Sequence, residues 1–65
     1  MFRNDPKFRA FRSNVAKIVK RDAEVNLSAL TEPMPGWFEG EYCDGSRPEL
    51  TALELIEFNI GMGNL

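Results

Sequence analysis

The chain has 65 residues, 43% of them hydrophobic and 28% charged, with net charge −2, one cysteine and no histidine. That composition describes a single small globular domain with no internal disulfide and no zinc site of the usual kind. No apolar run approaches the ~20 residues of a membrane span. The polar start Met1-Phe2-Arg3-Asn4-Asp5 does not read as a secretory signal, and with the unpaired Cys43 it points to the cytoplasm of a cell or host.

Asp5-Pro6 announces the first element, because Asp caps helix N-termini and Pro at the first helical position loses no hydrogen bond. Phe8, Phe11, Val15, Ile18 and Val19 follow at helical spacing. The spacing predicts a helix over about residues 6–21, ending or bending where Asp22 interrupts the apolar stripe. Asn26 can cap a short helix near 27–31, and Pro33 would stop it. Pro33-Met34-Pro35-Gly36 then reads as a linker. The segment Trp37–Tyr42 is aromatic and strand-like, and is expected to belong to an irregular connection that turns at Asp44-Gly45.

Ser46-Arg47-Pro48-Glu49 has the capping-box spacing, so a last helix is expected over about 47–60, with Gly61 as its stop. Ile56, Phe58, Ile60 and Met62 alternate as in a strand, but Leu, Ala and Glu dominate the preceding stretch and favour helix. The expected fold is therefore all-α: two amphipathic helices joined by an irregular, Trp-containing connection. The expected core is Phe8, Phe11, Val15, Ile18, Leu27, Leu30, Trp37, Leu50, Leu53 and Ile56.

Charge is divided along the chain. Residues 1–21 carry Arg3, Lys7, Arg9, Arg12, Lys17, Lys20 and Arg21 against Asp5, a balance of +6; residues 22–65 carry nine acids against Arg47, a balance of −8. The leading expectation is that the acidic half of the fold neutralises the basic helix. If that helix instead binds a partner, acidic protein or nucleic acid, Arg9, Lys17, Lys20 and Arg21 should carry the contact. An acidic pI and a helix with only Asn14 suited to reading base edges weigh against a dedicated nucleic-acid binder.

Enzymatic chemistry finds no machinery. Cys43 has no histidine base, and Asp44, Glu39 and Glu41 disfavour its thiolate. Glu39, Glu41 and Asp44 fall at positions 1, 3 and 6 of a would-be calcium loop whose twelfth position is Leu50, so the pattern fails. The glycines at 61 and 63 lack the lysine and helix of a phosphate cradle. No cofactor, metal or small-molecule substrate is expected.

What remains is binding. Trp37 and Phe38 are candidate anchors. On the last helix Leu50, Leu53, Ile56 and Ile60 share one wide face, while Leu55 and Phe58 lie on another side. A helix that is apolar on two sides should be covered on two sides, so Leu55 and Phe58 are expected to meet a second chain. The sequence reads as a non-enzymatic interaction protein (an inhibitor, adaptor or assembly subunit) that binds another protein or itself. Two alternatives are nucleic-acid binding through the basic helix, and an acidic mimic of nucleic acid built from Glu39, Glu41, Asp44, Glu49, Glu54 and Glu57.

Overall fold

In the computed structural model, which describes residues 4–65, Asp5 opens the first helix, α1 (Pro6–Ala23). Its Oδ1 accepts the backbone N–H groups of Lys7 and Phe8 at 2.9 and 3.3 Å. The helix runs two residues past the expected end. It stops where Glu24 turns left-handed (φ 58°) and donates its N–H to the Lys20 carbonyl at 3.1 Å. Arg3 of the basic segment lies outside the described residues.

Next comes α2 (Leu27–Thr31), where expected. Asn26 stands at its N-cap but uses its carbonyl, which accepts the Ala29 N–H at 3.1 Å, and not its side chain. The segment around Pro33 turns twice before Gly36, whose φ of 83° glycine adopts without penalty.

The expected irregular connection is instead partly helical: α3 spans Trp37–Cys43. Its aromatic content suggested a strand, yet Trp37, Phe38, Glu41 and Tyr42 fall at i, i+1, i+4 and i+5, the spacing of one helix face. Tertiary packing selects the helix. Phe38 is buried and lies edge-on to Phe8 with centroids 5.8 Å apart, and Tyr42 does the same at 5.1 Å. Gly45, at φ 76°, ends α3: its N–H bonds the Tyr42 carbonyl, and Ser46 N–H reaches back to Glu41. This paired bonding is a Schellman cap.

The last helix, α4, spans Pro48–Gly61, and the alternation at 56–62 is therefore helical. The expected capping box does not form. Arg47 is the N-cap, without a side-chain bond, and the Ser46 hydroxyl accepts from Thr51 Oγ1 at 2.8 Å. At the far end Gly63 (φ 81°), not Gly61, is the left-handed stop. Gly63 N–H bonds Ile60, and Asn64 N–H bonds Asn59, a second Schellman cap.

The four helices close over Phe11, Val15, Val19, Leu27, Leu30, Phe38, Ala52 and Leu55. Helix α4 packs chiefly along α1, and α2 touches both. Phe8, Ile18, Trp37 and Ile56 are half-buried at the edge of this core. Leu50 and Leu53, expected inside, are 51% and 53% exposed. Leu55, expected to face a partner, is fully buried. Helix α4 is thus rotated relative to the sequence expectation.

Candidate interaction site

At 100° per residue, α4 carries two apolar arcs. Thr51, Ala52, Leu55 and Asn59 form the buried one, each with no solvent exposure. Two of these are polar, and both are bonded. Asn59 Nδ2 donates to the carbonyls of Leu55 (2.8 Å) and Leu30 (3.3 Å), while its Oδ1 accepts from Asn64 at 3.1 Å. Thr51 bonds Ser46. These bonds explain the rotation: with Leu50 and Leu53 inside, Asn59 would lose its tie to α2. Small Thr51 and Ala52 also let α4 approach α1 closely.

The outward arc contains Leu50, Leu53 and Ile60, with Ile60 at 57% exposure and the half-buried Ile56 at its edge. Glu49 and Glu57 lie within this arc by helical geometry, and Glu54 lies at its margin. Phe58 is 51% exposed on the opposite flank of the buried face. Of the expected anchors, then, Phe58 is available, Trp37 is half-buried, and Phe38 and Leu55 belong to the core. Leu50, Leu53 and Ile60 are the exposed residues that sequence reasoning placed inside. The two arcs were legible, but the buried polar pair Thr51 and Asn59, which decides between them, was not.

The charged residues also take definite places. Arg9, Lys17, Lys20 and Arg21 are all exposed on α1. Among the described residues the one ion pair joins neighbours, Arg21 Nε to Asp22 Oδ1 at 2.7 Å. Beyond this neighbouring pair, the expected neutralisation of α1 by the acidic half takes the form of no salt bridge among the described residues. Lys17, Lys20 and Arg21 instead rim an open cleft of about 570 Å³ between α1 and α2, floored by Ala16, Val25 and Leu27.

The acids gather elsewhere. Asp44 caps α3 and is exposed. Glu39 is half-buried and lines a smaller cavity of about 270 Å³ with Phe8, Arg12 and Met34. Glu41 is half-buried, with Oε1 enclosed and unbonded. Burial pushes its carboxyl above the ordinary 4.5, and the nearby charges of Glu54 and Asp44 add to this against the opposing Ser46 hydroxyl. Among the described residues no group of three or more His, Cys, Asp and Glu is placed to hold a metal ion, and no helix is long and apolar enough to cross a membrane. Comparison with protein-family models, curated proteins and solved structures returns no match.

Proposed function

We propose that this chain is a small non-enzymatic interaction protein that binds another macromolecule through the outward face of α4. One observation carries the reading: Leu50, Leu53 and Ile60 are each more than half exposed on one arc of α4. Each large apolar side chain left in water forgoes about 1.5–3 kcal/mol of burial, and contiguous exposed apolar surface marks binding sites. The acids beside the stripe would set orientation and partner choice more than affinity. The cytoplasm is the compartment this reading assumes, because exposed Cys43 is unpaired.

Nucleic-acid binding through α1 is the second reading, supported by the exposed cations Arg9, Lys17 and Lys20, which make no ion pair among the described residues. It predicts a steep loss of affinity with salt, which apolar docking does not.

The test compares wild type with Leu53→Ser/Ile60→Ser. Both side chains are exposed, so the double variant should melt as wild type does. Capture from a lysate of the native cells should retain a partner with wild type and lose it with the variant. Equal capture by both proteins overturns the α4 reading.

A further inference from the structure

The outward face of α4 and the α1–α2 cleft are chemically complementary. The stripe is apolar, and Glu49, Glu54 and Glu57 attend it; on α4 itself there is no cation. The cleft has an apolar floor of Ala16, Val25 and Leu27 under Lys17, Lys20 and Arg21, and no acid lines it. The two surfaces share no residue, so both are open at once on a single molecule.

Three ways of covering the α4 stripe with a second copy can be compared. Pairing α4 with α4 in either direction brings the glutamates of two copies together with Arg47 at each N-cap as the one cation beside them, and like charges held close oppose association. Pairing α4 with the outer side of α1 sets leucines against Arg9, Arg12 and Lys17, leaving the apolar surface without an apolar mate. Pairing α4 with the cleft matches apolar floor to apolar stripe and cation to carboxylate. Arg21 is already held by Asp22, so Lys17 and Lys20 supply the free charge.

We infer that the acid-flanked stripe of α4 docks into the cation-rimmed α1–α2 cleft of a second copy, so that the chain assembles head to tail. This rests on the docking role of α4 proposed above and names its occupant. The contact is heterologous: a docked pair still offers one free stripe and one free cleft, so growth continues as an open chain unless the geometry closes a ring.

Sedimentation velocity of the purified chain over a concentration series tests this. At low salt the wild-type sedimentation coefficient should rise with concentration, and high salt should reduce the rise. Lys17→Glu/Lys20→Glu and Glu54→Lys/Glu57→Lys should each stay monomeric with a wild-type helical signal. An equimolar mixture of the two should recover assembly, because the reversed charges again oppose each other. Leu53→Ser/Ile60→Ser should also stay monomeric, and it decides the matter if a charge-reversed variant fails to fold. A wild type that stays monomeric through the millimolar range overturns head-to-tail assembly. So does a Lys17→Glu/Lys20→Glu protein that assembles as well as wild type, which would indicate α4–α4 pairing, or a mixture that recovers nothing. If wild type is monomeric but Leu53 and Ile60 remain necessary for capturing another protein, only the self-assembly fails. If they are unnecessary for that as well, the docking role of α4 falls with it.

Discussion

Two single residues hold conformations or contacts that the local sequence does not announce. Glu24 ends α1 in the left-handed region at φ 58°, where a β-carbon is strained. Glycine relieves that strain, so Glu24→Gly should stabilise the protein by about 0.5–1 kcal/mol. The melting temperature should rise by roughly 2–8 °C, and a lowered one would show that Glu24 makes a favourable contact. Tyr42 joins α3 to the start of α1 by donating its hydroxyl to Asp5 Oδ2 at 2.9 Å. That bond first, and then the Lys7 and Phe8 amides and the Lys7 charge, hold the Asp5 carboxyl below 3.8. Burial first, and then the Asp5 bond, raise the Tyr42 hydroxyl above 10.0. The signs follow from linkage. A lowered carboxylate contributes stability above its unfolded pKa and loses it as pH falls through the folded value. A raised phenol contributes below 10.0 and loses it as pH rises through its own. Stability curves of Tyr42→Phe and wild type should therefore differ most at mid-pH and converge toward both extremes. A gap that is constant across pH would place the effect in packing alone.

At the scale of the element, α4 makes the sharpest claim, because two similar leucines two positions apart have opposite surroundings. Leu55 is fully buried and Leu53 is 53% exposed. Leu55→Ala should cost about 2–5 kcal/mol, enough to leave so small a domain largely unfolded, while Leu53→Ala should stay within about 0.5 kcal/mol of wild type. Denaturant midpoints of the two variants check the rotation of α4 directly, and reversed effects would restore the face expected from sequence. The caps show why local signals mislead here. Ser46 and Glu49 have the right spacing for a capping box, but the Ser46 hydroxyl is engaged by Thr51, a residue of the buried face. A side chain with one good tertiary partner is withdrawn from its local one. Conversely, Asp44-Gly45 was readable as a turn because a positive φ at glycine is a local requirement that packing need not supply.

Over the whole molecule the radius of gyration is 11.0 Å, the ~11 Å expected of a folded chain of this length. Among the described residues the core reaches that compactness with eight buried apolar residues and leaves six large ones exposed, so apolar surface is in surplus. Charge is also left over. Beyond the adjacent pair Arg21–Asp22, the cations of α1 make no ion pair with the acidic half among the described residues, while Glu41 is crowded by Glu54 and Asp44. On that count, like-charge repulsion within each half should exceed attraction between the halves. Moderate sodium chloride, which screens such surface interactions, should raise the melting temperature. A falling one would mean that the two halves attract across the fold and that the expected neutralisation operates at longer range.

The elements that sequence alone determined are those whose signals are local and covalently near: the Asp5-Pro6 start of α1, the apolar stripe through Val15 and Val19, the position of α2, and the helical nature of α4. Turn chemistry and 3.6-residue periodicity act within a few residues, so they survive without knowledge of neighbours. The helical state of Trp37–Cys43 and the orientation of α4 were decided only by tertiary structure. In the first, Phe8 and Phe11 on a distant helix supply the apolar surface that Phe38 and Tyr42 cover. In the second, both faces of α4 are apolar enough to be buried, and the choice falls to the face whose polar residues find partners. Asn59 reaches the Leu30 carbonyl across 29 residues of chain. Turning α4 to bury Leu50 and Leu53 would break that bond and carry Ala52 and Leu55, both fully buried, toward solvent.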